Sequence, residues 1–180
     1  MRLIFLDIDG VLNHGYDPSR VPAAVVSGWG YAESPSTNAG FDYCVPSCVT
    51  ALNDLTRATG ASIVVSSSWR EAHPLDELRA VLRRFGVEAE VVGVTPYDLE
   101  DVDGWPATRA AEIRAYLDRC EEEVGSYVVI DDCDIFLDVN NDRVLDPEVE
   151  ARTVRTATSV GLTSEQGLLA ARILFTDLPA

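Results

Sequence analysis

Lysine is missing altogether. All 14 basic residues are arginines, against 30 aspartates and glutamates, which leaves a formal charge of −16. A balance this negative keeps a chain soluble and repels polyanions at long range. It argues against a duplex or long-strand binder, though not against a local basic pocket. Nor does any apolar run approach the ~20 residues of a bilayer span. Met1-Arg2 leads into only a short apolar run before Asp7, too short for a secretory leader. The expectation is a cytoplasmic protein with no membrane partner. Cysteine is sparse: Cys44, Cys48, Cys120 and Cys133. The C-x3-C pair has no second pair of ligands at zinc spacing, so free thiols are expected. Internal repeats and interdomain linkers are also lacking, so residues 1–180 read as one domain large enough for a real core.

What is present is organised around LIFLDIDGVL, residues 3–12. Leu3 to Leu6 read as a buried strand of a parallel sheet. Asp7 and Asp9 follow, one residue apart, where strand alternation lets both face one way at a carboxyl end. Two carboxylates so close repel unless a cation intervenes. Gly10 permits a sharp turn and leaves backbone N–H groups to face an anion. A nucleophilic carboxylate, a second one for proton transfer and a place for a hard cation are the parts of aspartyl-phosphate chemistry. The same tetrad read alone is also an ordinary capped turn.

Residues 13–45, broken by prolines and glycines and carrying Trp29 and Tyr31, read as an irregular flap-like insert over the site. Pro46 opens a helix that Gly60 ends. Ile63 to Val65 form a second strand, closed by Ser66, Ser67 and Ser68, whose hydroxyls suit phosphate oxygens. A helix over 74–85, a strand at Val91–Val92 and a helix from about 107 to 124 follow. Arg109 lies in the first turn of that last helix, where a cation opposes the helix dipole unless it aims at an anion. Tyr127 to Ile130 make another strand, ending in Asp131 and Asp132. Val144–Leu145 suggest a short last strand, and a helix capped by Thr163 or Ser164 closes the chain. His73 reads as a solvated residue near a helix start.

Strands alternating with helices imply an α/β fold: a three-layer, Rossmann-like parallel sheet with helices on both faces. Carboxyl ends of parallel strands share one edge, so Asp7/Asp9, Ser66/Ser67 and Asp131/Asp132 converge.

These motifs together resemble the haloacid dehalogenase-like (HAD) phosphohydrolase superfamily. DIDGV at 7–11 looks like its first motif, Ser66 its second, and Asp131-Asp132 its last. Arg109 stands where the family usually has a lysine. SSSWR with IDD and a late GLT is also similar to stand-alone phosphatase-like domains and to phosphatase modules attached to RNA-repair proteins. The resemblance implies Asp7 as nucleophile, Asp9 as acid and base, and Arg109 as stabiliser of transition-state charge. It implies phosphate contacts from Gly10, Ser66, Ser67 and Arg70, the last a possible substitute for Arg109. It further implies Mg2+ held among Asp7, Asp9, Asp131 and Asp132, and a minimal cap. The expected function is a Mg-dependent phosphomonoesterase acting on a small phosphoester or nucleotide. A polynucleotide-end phosphatase of nucleic-acid repair and a non-catalytic phosphate-binding module remain the alternatives. The sequence leaves oligomeric state open.

Overall fold

One or two helices separate each strand from the next, and the strands assemble out of sequence order. The computed structural model describes residues 1–13, 44–100, 104, 106–138 and 140–176. Most of the expected insert, residues 14–43 with Trp29 and Tyr31, lies outside the described residues. Its two ends are tied together, because the Val45 N–H donates to the Leu12 carbonyl at 2.7 Å.

Strand β1 (Arg2–Leu6) is followed by helix α1 (Pro46–Thr59), β2 (Ser62–Val65), the short α2 (Trp69–Ala72) and α3 (Leu75–Arg84). Then come β3 (Val91–Val94), α4 (Arg109–Arg119), β4 (Ser126–Asp131), α5 (Pro147–Ala151), β5 (Thr153–Arg155) and α6 (Ser164–Leu174). The five strands form one sheet in the order β3-β2-β1-β4-β5, and every pairing is parallel. The apolar runs of β1 and β4 are buried on both faces, as a central parallel strand requires. On one face Ile4, Leu6, Ile63, Val65, Val128 and Ile130 pack with α1, α3 and α6. On the other, Leu3, Phe5, Val64, Tyr127 and Val129 pack with Ala110 and Ile113 of α4 and Val149 of α5.

Local signals act as expected at most ends. Gly60, at φ +66°, closes α1, and Thr163 forms a reciprocal capping box with Gln166 at the start of α6. Two expectations fail. The helix expected to reach residue 124 stops at Arg119, with Cys120 extended. Glu121, Glu122 and Glu123 would have continued it with like charges at the negative end of its dipole. Val144 and Leu145 are exposed and form no strand. The last strand is instead Thr153–Arg155, reached through α5, which Asp146 caps through the Val149 N–H at 3.1 Å.

The register aligns a row of polar residues. Leu6 pairs with Val65 and Ile130, and Val65 with Val94. The next residues, Thr95, Ser66, Asp7 and Asp131, therefore lie side by side across β3-β2-β1-β4. Backbone bonds continue through the row: Thr95 N–H to Val65, Ser66 N–H to Leu6 and Asp7 N–H to Ile130, at 2.8–3.0 Å. Side chains alternate along a strand, so these residues share the face that carries Phe5, Val64 and Val129, beneath α4.

Candidate active site

Asp7 sits at the centre of this row, nearly buried. Arg109 reaches down from the first turn of α4. Its Nη1 lies 2.7 Å from Asp131 Oδ2 and 3.3 Å from Asp7 Oδ2. The arginine that opposes its own helix dipole is thus held by two carboxylates. Burial alone would lower the Arg109 pKa, but Asp131 and Asp7 more than offset it and hold the guanidinium charged. Burial and the charge of Asp131 push the Asp7 carboxyl up to about 7, with Arg109 acting in the opposite sense. Burial also raises Asp131, with Arg109 opposing.

Asp9 leaves the row and is only partly buried. Its Oδ1 accepts from Asn13 Nδ2 at 2.9 Å and its Oδ2 from Trp69 Nε1 at 3.0 Å. Burial raises its pKa, while these donors favour the charged form. Gly10 adopts φ +71°. Its N–H, expected to face a phosphate, donates to Asn13 Oδ1 at 3.0 Å, because the loop turns back on itself. Its carbonyl accepts from Thr156 Oγ1 at 2.8 Å. A Cβ on Gly10 would overlap the Asp132 carboxylate, which Thr158 Oγ1 fixes at 2.6 Å. Gly60 has a similar φ and open space around it. Both alanine substitutions incur the left-handed penalty of ~1–2 kcal/mol. Gly10→Ala alone must also move Asp132. Denaturant unfolding is therefore expected to show a clearly larger loss for Gly10→Ala than for Gly60→Ala.

Ser66 and Ser67 are fully buried, and neither hydroxyl makes a regular hydrogen bond. Ser67 nonetheless lies close enough to favour the charged form of Asp7. Arg70, one turn further on, gives Nη2 to Glu112 Oε2 at 2.5 Å, and its Nε and Nη1 have no partner. Thr95 Oγ1 is likewise buried and unpartnered. Each such group costs ~1–3 kcal/mol unless a partner arrives. Donors left open at the ends of β2 and β3 suit an oxyanion.

Asp131, Asp132 and Cys133 hold ligand-type atoms within 4.8 Å of one another. Burial and the neighbouring Asp132 push the Cys133 thiol up to about 11, so it stays protonated and does not suit a hard cation. The carboxylates do. Asp7 and Asp131 lie on adjacent strands, buried, repelling each other and sharing one guanidinium, so the donor set fits a divalent cation with oxygen ligands.

The raised Asp7 pKa has a consequence for stability. The folded protein keeps this proton up to about pH 7, whereas the unfolded chain releases it near the ordinary aspartate value of 3.8. Between these values the folded state binds more protons, so stability falls as pH rises through the window. Thermal unfolding in chelator is expected to show a higher Tm at pH 5 than at pH 8, with the difference reduced in Asp7→Asn.

Sequence reasoning did not single out Asn13, Trp69, Glu112, Thr95, Thr156 or Thr158. His73 sits outside the row, 3.2 Å from Glu77. A groove of about 580 Å³, lined by Tyr97, Tyr116 and Arg119 among others, runs beside β3 and touches the row only at Thr95. Among the described residues no helix is long and apolar enough to cross a membrane.

Compared with known proteins, residues 3–166 match the family described as "HAD domain in Swiss Army Knife RNA repair proteins". No curated protein and no solved structure matches.

Proposed function

Because the chain belongs to the family of HAD domains in Swiss Army Knife RNA repair proteins, we propose that it is a magnesium-dependent phosphomonoesterase working through an aspartyl-phosphate. Asp7 at the centre of the polar row, bracketed by Arg109 and unpartnered hydroxyls, carries this reading.

Asp7 attacks phosphorus in line, forming the aspartyl P–O bond as the bond to the leaving oxygen breaks. Asp9 gives that oxygen its proton. It then takes a proton from the water that attacks the aspartyl-phosphate and releases inorganic phosphate. Ser66, Ser67 and Arg70 hold the non-bridging oxygens, and Arg109 offsets charge in the transition state. Asp7, Asp131 and the Asp9 carbonyl would hold magnesium, with Asp132 beside them. When bound, the ion supplies positive charge that lets an anionic nucleophile meet an anionic phosphoryl group. An alkoxide leaving group needs a proton and a halide does not, so the second carboxylate favours phosphoester over carbon–halogen chemistry.

The substrate is a small phosphoester or nucleotide. The family description favours a second form of this reading, in which the phosphate terminates an RNA strand. With a charge of −16 and no lysine, such a strand is engaged only at its terminal nucleotide. Aryl phosphate hydrolysis is expected with magnesium and is expected to be lost with chelator. Activity unchanged by chelator overturns the metal assignment. A phosphorylated mononucleotide and a phosphorylated ten-residue oligonucleotide are then compared across a salt series. Comparable kcat/KM values with a shallow salt slope are expected. A strong preference for the oligonucleotide that collapses with salt would assign the protein to extended strands.

A further inference from the structure

The site holds two guanidinium groups where the proposed chemistry assigns charge stabilisation chiefly to one. Arg70 comes from α2, just past the end of β2. Arg109 comes from α4. Burial lowers the Arg70 pKa, and the charge of Arg109 lowers it further. The two cations repel across a site that is largely buried at Arg70 and partly open at Arg109.

Glu112 lies on α4 one turn after Arg109 and is itself buried. Its Oε2 takes Arg70 Nη2, with the two side chains only 3% and 10% exposed. Burial raises the Glu112 pKa, while Arg70 and then Arg109 oppose the rise. Glu112 therefore pairs with Arg70 and sits one turn from Arg109 on the same helix. It uses a single nitrogen of Arg70 and leaves Nε and Nη1 without partners. The remaining buried, unpartnered side-chain polar atoms among the described residues are the hydroxyls of Ser66, Ser67 and Thr95. Ser66 and Thr95 are neighbours in the polar row, and Ser67 is next to Ser66. Everything left open is a hydrogen-bond donor, and all of it gathers at the ends of β2 and β3.

We propose that Glu112 is a positioning residue: it fixes Arg70 with Nε and Nη1 free for a phosphate oxyanion. The inference rests on the phosphatase reading, in which that oxyanion is the substrate's phosphoryl group. Glu112 touches neither substrate nor metal in this arrangement and acts through Arg70.

The test is calorimetric titration with inorganic phosphate in the presence of magnesium, so it does not require turnover. Glu112→Gln keeps shape and an acceptor but gives up the charge. It is expected to weaken phosphate binding about tenfold, the usual scale for losing a well-placed charge-assisted hydrogen bond. Arg70→Gln is expected to weaken it at least as much, and the double variant no more than Arg70→Gln alone, since Glu112 acts only through Arg70. Aryl phosphate kinetics should show the same non-additive pattern in KM. An unchanged phosphate Kd in folded Glu112→Gln overturns the proposal. So does an effect that multiplies fully onto that of Arg70→Gln, or a wild type that binds no phosphate. Wild type that binds phosphate in this pattern without hydrolysing any phosphomonoester overturns the phosphatase reading and leaves the role of Glu112 standing.

Discussion

Asp7→Asn is expected to abolish turnover, by about 10⁴-fold or more, the scale seen when a nucleophile is removed. An amide cannot form the acyl-phosphate, yet it keeps the volume of the carboxyl and its place in the row. The same substitution removes one of two repelling buried carboxylates and leaves Arg109 its 2.7 Å contact with Asp131. The metal-free variant is therefore expected to melt no lower than wild type at pH 8. That pairing separates lost chemistry from lost fold. Steady-state rates on aryl phosphate and thermal unfolding are the two measurements. A purified, folded Asp7→Asn that turns over near the wild-type rate ends the mechanism.

Arg109→Ala is expected to cost about 10²-fold or more in kcat, the usual scale for losing a transition-state charge contact. Arg119→Ala, on the exposed far end of the same helix and lining the β3 groove, should change it little. The Arg109→Ala variant carries a stability signature as well. Without Arg109 the carboxylates of Asp7 and Asp131 face each other uncompensated. Breaking a buried pair in this way costs ~3–5 kcal/mol as an upper range, and Arg109 is about a quarter exposed. Its Tm deficit should therefore be large at pH 8 and shrink near pH 5, where protonation relieves the repulsion. Arg109→Lys keeps the charge, loses the planar fork, and should recover most of the rate. Equal, small rate losses from Arg109→Ala and Arg119→Ala would shift the role to Arg70.

The central strands and the convergence of their ends were legible because continuous apolar runs ending in carboxylates or serines have few other readings. Arg109 was legible from a conflict, a cation in a helix's first turn, and the conflict resolves in two ion pairs. β5 was not, because a three-residue strand with one buried side chain leaves almost no periodic trace. The expectation therefore fell on Val144–Leu145, apolar but exposed. Glu112 has the look of a routine first-turn acid favoured by the helix dipole. Only the fold shows that Arg70, 42 residues earlier, is what it holds. Trp69 reaches Asp9 from 60 residues away, a spacing that no local pattern encodes. Thr95 belongs to the row through inter-strand register, a property of pairings between strands.

The Thr156 hydroxyl that holds the Gly10 carbonyl spans 146 residues of sequence. β1 is the first strand of the chain, yet it lies mid-sheet, and Leu6 must find Val65 on one side and Ile130 on the other. Such distant pairings form slowly, because much loop entropy is lost before they yield contacts. A growing chain that has not yet produced β4 and the turn after β5 presents Asp7 without Asp131, and Gly10 without its tether. The edge that carries Asp7 is consequently completed only once Thr156 has been made. Until then the chain exposes an apolar strand seeking partners, the condition under which nascent chains need chaperones most.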